Sequence, residues 1–377
     1  MSGGALKQKI LALFGSSAIF ALVFQGINGL IQVKAFIALT GADYLAYSAA
    51  YLAGSVLAII AALNFENMVL GGRWTRSVRH YLVGIWLLGM VAALLMWNLH
   101  STVPMTVLSV LVFCSLNVCS RLFLAWASQA RPSSFGPALA GALVLVSCLL
   151  GDLSLVLIAA LMAFPLVAWR AQGPKAQASA GLRQVLVTST AEFVGYLPHT
   201  LSGLVIGYLD RFVALSIIGG AEAERYLRTV QICSWAAFIA YPVVFYWRSR
   251  VLKSGRLDAS TVSKSIFLLA AVIAATVLMI LLMSWLTDRM SSISFIALVL
   301  VFLAIVCSQS YQVVSSLNFV NNRFNTVNRI TLSSAAVVVA LAVTLASTWK
   351  SAEAMATVLL SGWLVQLILT ISALRRS

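Results

Sequence analysis

Apolar runs, broken by short polar or Gly/Pro stretches, follow one another along the whole chain at roughly 12–38, 43–63, 80–98, 104–127, 136–150, 153–169, 185–207, 226–246, 265–286, 292–316, 330–349 and 354–374. A helix of about 20 apolar residues has the length of the hydrocarbon layer. In hydrocarbon a helix satisfies its own backbone, so each run predicts a transmembrane helix. The expected fold is therefore all-α and integral to the membrane, with about twelve spans. An even number puts both termini on the same side. The weakest separation is Gly151-Asp152: read as one long tilted helix, 136–169 would leave an odd number, so eleven or thirteen is the alternative count.

One stretch near the middle of the chain, from Arg170-Ala-Gln-Gly-Pro-Lys to Gly181-Leu-Arg183, has the composition of a linker. It divides six helices from six, giving an N-terminal bundle at 1–169, a cytoplasmic linker at 170–184 and a C-terminal bundle at 185–377. Each half has an even number of spans, so the second half starts on the same side as the first. Any duplication is then a parallel repeat about an axis along the membrane normal. Gly41-Ala-Asp-Tyr-Leu-Ala-Tyr47 follows the first run and Gly220-Ala-Glu-Ala-Glu-Arg-Tyr226 follows the seventh. Both read Gly, Ala, an acid, and a Tyr six residues after the Gly.

Composition agrees with a membrane chain, since only 9% of the residues are charged and 61% are hydrophobic. Mean hydropathy is +0.99. The net charge of +15 would point to nucleic acid in a soluble protein. Here its distribution points elsewhere: with the N-terminus inside, eighteen of the 25 Lys and Arg fall in cytoplasmic segments. The outer loops hold Arg225, Arg228, Arg289 and Lys350. This is the bias that orients membrane proteins, and it predicts two cytoplasmic termini and no nucleic-acid partner. Lys7 and Lys9 precede an apolar run that continues past Gln25 and Asn28 without a small-residue cleavage site, which reads as a first permanent span rather than a signal peptide. The five cysteines lie inside apolar runs at spacings that fit no metal, haem or disulfide framework.

Ionisable groups inside the membrane are costly and face a cavity or a partner. Thr188, Glu192, Tyr196 and His199 in the seventh run fall within an arc of roughly 80° at about 100° per residue, with Ser202 beside it, and Asp210 returns to the direction of Glu192. This stripe reads as a substrate path with Glu192 and His199 as a protonatable pair for proton coupling, or as hydrogen bonding between helices. Pro198 interrupts the stripe and removes a backbone donor, a candidate hinge. Gln25, Asn28 and Gln32 share a face of the first run, and Gln309, Gln312 and Ser316 a face of the tenth. Such amides serve as interhelical glue or as partners for sugar hydroxyls. Among the cations at membrane depth, Lys34 is expected to snorkel to the headgroups. Arg121 shares a face with Asn117 and Ser128 and suits an anionic headgroup, a ring of carbonyls or Glu66. Arg211 adjoins Asp210, which would neutralise it near the outer surface. The cytoplasmic cluster Arg248, Arg250, Lys253 and Arg256 reads as a topogenic contact with anionic membrane lipids.

Short loops leave no room for a soluble catalytic domain. There is no P-loop and no aspartate pair of the kind that lipid-linked glycosyltransferases use. His80 and His100 are isolated. No enzyme activity, cofactor or metal is expected.

The succession Leu197-Pro198, Leu209-Asp210-Arg211, Gly219-Gly220-Ala-Glu222 and Tyr226 resembles the entry to the second bundle in the MATE-like multidrug/oligosaccharidyl-lipid/polysaccharide exporter superfamily, and within it the bacterial O-antigen-type polysaccharide flippases. Asn321-Asn-Arg-Phe-Asn-Thr-Val-Asn-Arg329 and Ser351-Ala-Glu-Ala-Met-Ala356 extend the resemblance. The chain departs from it at Ala38-Leu39-Thr40-Gly41, where the family often carries an Arg. The resemblance implies two six-helix bundles around a central cavity that opens alternately to each side. It further implies a polyprenyl-diphosphate-linked oligosaccharide as substrate, other polysaccharide-assembly proteins as partners, and the bacterial inner membrane as location. Arg121, Arg211, Asp210, Gln25, Asn28, Asn117, Tyr196, Gln309 and Gln312 are the candidate substrate-binding residues. A MATE-type drug/cation antiporter is the alternative, and a membrane-embedded transferase a further one.

Overall fold

The computed structural model describes residues 16–62, 65, 75–99, 107–127, 135–168, 182–254, 259–286, 293–320 and 324–375. Among them twelve α-helices follow in order: α1 Ser16–Ala38, α2 Gly41–Ala61, α3 Arg76–Asn98, α4 Val107–Ala127, α5 Phe135–Leu150, α6 Leu153–Ala168, α7 Leu182–Val213, α8 Gly220–Ser254, α9 Ala259–Leu286, α10 Phe295–Val320, α11 Phe324–Thr348 and α12 Ala352–Arg375. Six stretches among the described residues are long and apolar enough to cross a membrane: Gly41–Ala61, Arg76–Asn98, Leu197–Ile218, Phe295–Leu317, Asn325–Thr348 and Ala352–Leu374. Shorter apolar helices lie in α1, α4, α5, α6 and α9. The chain is an all-α, multi-span membrane protein.

Gly151-Asp152 does separate two helices. Gly151 N–H closes on the Ser147 carbonyl at 2.8 Å, ending α5, and Asp152 Oδ1 accepts from Leu155 N–H at 2.8 Å, capping α6. An aspartate cap satisfies one of the four orphan donors of a helix start and complements its dipole. The turn is thus encoded in two residues.

Two compact units divide at Gly195/Tyr196, inside α7. Most of the stretch expected as a linker, 170–181, lies outside the described residues, as do Glu66 and Ser128.

In the first unit α4 is central, packed against α2 and α3, while α5 pairs with α6 and α1 lies against α5 and α6. Lipid is as apolar as leucine, so helices associate here through close packing and polar links rather than by escaping water. Small residues permit the approach. A Cβ on Gly54 of α2 would stand 2.5 Å from Phe113 Cβ and 2.9 Å from the backbone of Cys114 and Val110 on α4. Gly89 of α3 meets Ser115 of α4 in the same way. Trp86 Nε1 donates to the Leu161 carbonyl at 2.9 Å, joining α3 to α6, and the Tyr81 hydroxyl bonds the Ala61 carbonyl at the end of α2.

In the second unit α10 is packed against α8 and α12, α11 against α12, and α9 against α8 and α10. Gly362 of α12 is the close-approach residue, its missing Cβ falling 2.4 Å from Val338 of α11 and 3.3 Å from Ile206 of α7. Helix α7 ends in a π-turn, Ala214–Ile218, closed by Gly219 N–H on the Ala214 carbonyl at 2.9 Å.

The short sequence match between the halves corresponds to a repeated structural device. Gly41 and Gly220 both open a second helix at positive φ, +55° and +58°, a region where only Gly avoids a Cβ clash. Asp43 and Glu222 lie in the first turns. Tyr47 and Tyr226 are both fully buried, at 1% and 0% exposure.

Two expectations are corrected. Lys34 does not snorkel: its ammonium donates to the Cys148 carbonyl at 3.0 Å. That carbonyl belongs to the last turn of α5, where four acceptors lack helical partners and the dipole is negative, so a cation there is held by the helix end. Arg225 and Arg228 do not lie in an outer loop. Both belong to α8, and Arg228 is 1% exposed.

Candidate substrate-path residues

The polar groups of the seventh run divide between described and undescribed side chains. Helix α7 runs through Pro198, whose ring is exposed. With no N–H at Pro198, the α7 bond that its position would supply is absent. The side chains of Glu192 and Tyr196 lie outside the described ones, so the expected Glu192–His199 pair does too. Thr188 is exposed.

His199 Nδ1 stands 3.0 Å from Thr331 Oγ1 on α11. Thr331 Oγ1 also bonds the Val327 carbonyl, 2.8 Å away in its own helix. Which of the two donates across the His199–Thr331 contact is set by the imidazole tautomer. Gln366 Nε2 of α12 approaches the same oxygen at 3.4 Å. Gln366 is 1% exposed, and its Oε1 has no hydrogen-bond partner among the described residues. One hydroxyl thus collects side chains from α7 and α12 onto α11.

Asp210, 1% exposed, forms the second cluster. The Tyr226 hydroxyl of α8 donates to its Oδ2, and Arg211 Nε lies 4.0 Å from the same oxygen. Oδ1 is buried without a hydrogen-bond partner among the described residues. The Arg211 guanidinium sits 5.2 Å from the centroid of the Tyr208 ring, a cation–π contact one turn back on α7. Asp210 and Arg211 are therefore next to each other in charge as in sequence, and Tyr226 supplies the bond that a neighbouring Arg at 4.0 Å does not.

Beyond Tyr226, α8 carries a self-paired set of charges. Arg225 bonds Glu222 at 2.8 Å, and Arg228 reaches Glu224 through Nε at 2.9 Å and Nη2 at 2.8 Å. Glu222 Oε2 also accepts from Ala352 N–H at 3.3 Å, and Glu353 accepts from the Ser294 hydroxyl. The starts of α8, α10 and α12 are tied together by these acids, each carboxylate answering orphan donors or an arginine.

The amides take up neighbours inside their own units. Asn28 Nδ2 donates to Ser120 Oγ of α4 at 3.5 Å. Asn117 Nδ2 donates to the Phe113 carbonyl at 2.8 Å and to Ser55 Oγ of α2 at 3.3 Å. Arg121 is half-buried on the same helix. Gln309 is buried, its Oε1 without a hydrogen-bond partner among the described residues, and Gln312 is half-buried with its carbonyl accepting from Ser316 at 2.8 Å. Gln25 lies in α1 with its side chain outside the described ones.

Thr331, Gln366 and Tyr226 are the partners that the pattern of the sequence did not single out as site residues. Gln366 had a signal: it is a lone amide in the apolar run 357–372, the same argument that selected Gln309. Thr331 had none, since a helical Thr bonded to its own backbone is common.

No protein-family model matches the chain, and no curated protein matches it. Among solved structures it is similar to a eukaryotic MATE transporter, AtDTX14, at 11% identity over 100% of this chain and 97% of that one, with a TM-score of 0.47. It is also similar to a MATE in the straight conformation, at 13% identity over 98% of this chain and 99% of that one, with a TM-score of 0.48.

Proposed function

We propose that the chain is a transporter that flips a polyprenyl-diphosphate-linked oligosaccharide across the bacterial inner membrane by alternating access, for surface polysaccharide assembly. The observation that carries transport is the pairing of a repeated architecture with polarity at depth. Two six-helix units open their second helices with the same Gly, acid and Tyr, and apolar spans bury Asp210, Gln309 and Gln366 and half-bury His199. Ionisable groups inside membrane helices mark pathways and coupling sites, because each costs free energy to insert. Repeated halves are the common plan of secondary transporters.

The substrate class rests on the sequence resemblance to O-antigen-type flippases. Arg211, 5.2 Å from the centroid of the Tyr208 ring, and Arg121 are the groups suited to a diphosphate, which a planar guanidinium meets with two parallel bonds. The lipid tail stays in the bilayer while the glycan crosses. A second reading, a drug/cation antiporter, is favoured by one observation: Asp210 offers a buried carboxylate oxygen, Oδ1, without a hydrogen-bond partner among the described residues.

Deletion of the gene separates the two. The flippase reading expects loss of surface glycan and cytoplasmic accumulation of its lipid-linked repeat unit. Intact surface glycan together with new sensitivity to cationic dyes would overturn it in favour of the antiporter.

A further inference from the structure

Helix α6 carries Pro165 one turn before its end at Ala168. A proline has no N–H to offer the carbonyl four residues back, so the Leu161 carbonyl has no partner at that position of its own helix. At membrane depth water does not replace the bond, and a freed carbonyl is answered by a neighbouring helix. Here the answer comes from α3, where Trp86 Nε1 donates to the Leu161 carbonyl at 2.9 Å. We propose that α6 contains a releasable bend at Pro165, latched by the Trp86 indole, about which the last turn of α6 moves against the rest of the first unit.

The two sides of the latch are held differently. Trp86 stands on a pinned stretch of α3: the Ser115 hydroxyl of α4 donates to the Ile85 carbonyl beside it at 2.8 Å. Gly89, three residues on, has Ser115 of α4 and Leu161 of α6 packed against its bare Cα, with Leu161 Cδ2 3.4 Å from where a Cβ would stand. The Leu161 side chain is 0% exposed. Beyond the proline the hold is weaker. The Pro165 ring is exposed, and only Leu166, Val167 and Ala168 follow in the helix.

The latch also differs from the other side-chain bonds to backbone in this unit. Tyr81 and Lys34 reach carbonyls at the ends of α2 and α5, which lack helical partners in any helix. Leu161 lies inside α6 and lacks its partner because of one residue, Pro165. A single bond between neutral groups is weak enough to break during a conformational cycle and strong enough to bias it. The proposal goes beyond the transport reading and does not depend on which substrate crosses.

Restoring the missing donor tests it. Pro165→Ala returns an N–H that closes on Leu161 within α6, and because the ring is exposed its loss leaves no core void. Trp86→Phe keeps an aromatic ring and removes the indole N–H. With the full chain in lipid nanodiscs, Trp86→Phe should lower the melting temperature by about 2 to 4 °C and speed amide hydrogen exchange at Leu166–Ala168 roughly tenfold. In the Pro165→Ala background the exchange effect of Trp86→Phe should vanish, leaving only the packing loss in the melting temperature. Pro165→Ala alone should slow exchange in the same turn. An equal exchange effect of Trp86→Phe in both backgrounds, or none in either, overturns the latch. If Trp86→Phe does not fold, Pro165→Ala decides alone: unchanged exchange at Leu166–Ala168 overturns the bend.

Discussion

At Asp210 a phenol from a second helix joins the neighbouring Arg211 in holding a buried carboxylate. Tyr226 donates to Oδ2, while Arg211 remains at 4.0 Å. Removing the hydroxyl by Tyr226→Phe leaves the carboxylate short of its donor and should lower stability by roughly 1–2 kcal/mol. Asp210→Asn, which removes the charge and keeps an acceptor, should cost less. Thermal unfolding in detergent, followed by size-exclusion fluorescence, ranks the two. A reversed order would mean that Arg211, not Tyr226, is the partner that matters. The sequence placed Asp210 and Arg211 together by adjacency but could not reveal Tyr226, because a bond between residues sixteen apart in two helices depends on the π-turn between them. Lys34 shows the same limit: its approach to a helix end is a property of where α5 stops, 114 residues away.

Helix packing here depends on missing side-chain atoms, and the glycines sort by what stands opposite. Gly54→Ala drives a methyl against the backbone of α4, which cannot retreat, and is expected to cost about 1–3 kcal/mol. Gly362→Ala meets the Val338 and Ile206 side chains, with no backbone among its three nearest atoms, and should cost less. Gly84→Ala has nothing within 4 Å and serves as the neutral control. Melting temperatures of the three variants test the ranking. At this scale the sequence was legible: apolar length located the twelve α-helices among the described residues, and Gly151-Asp152 marked a true break because a helix ender and an acidic cap stand side by side. Helix ends were less legible. α7 and α8 run past their apolar stretches, since a helix continues through polar residues until its caps stop it, and this drew Arg225 and Arg228 out of the expected loop and into α8.

For the whole molecule, the distribution of cations predicts both termini and the 170–183 stretch on the cytoplasmic face, with Lys350 outside. Reporter fusions check this: a fusion at Lys350 should be active only if the reporter functions outside the cytoplasm, and fusions within 170–183 or after Arg376 only if it functions inside. The same outcome at Lys350 and at 170–183 would break the even count of spans. The repeated Gly, acid and Tyr were legible as a weak match; positive-φ glycines and buried tyrosines give the two helix starts a common local geometry. Gly41→Ala and Gly220→Ala should each lose about 1 kcal/mol from the positive-φ strain, measurable as similar drops in melting temperature despite their different neighbours.

The paired charges at the start of α8 bear on how the protein is made. Arg225 and Arg228 find Glu222 and Glu224 one turn away in the same helix, so neutralisation needs only that one helix to form. The segment can leave the insertion machinery with its charges already answered, before any neighbouring span has arrived. Shifting either acid by two positions would keep composition and net charge unchanged but turn the pair away from its arginine, leaving a nascent helix that must cross into lipid with a bare cation.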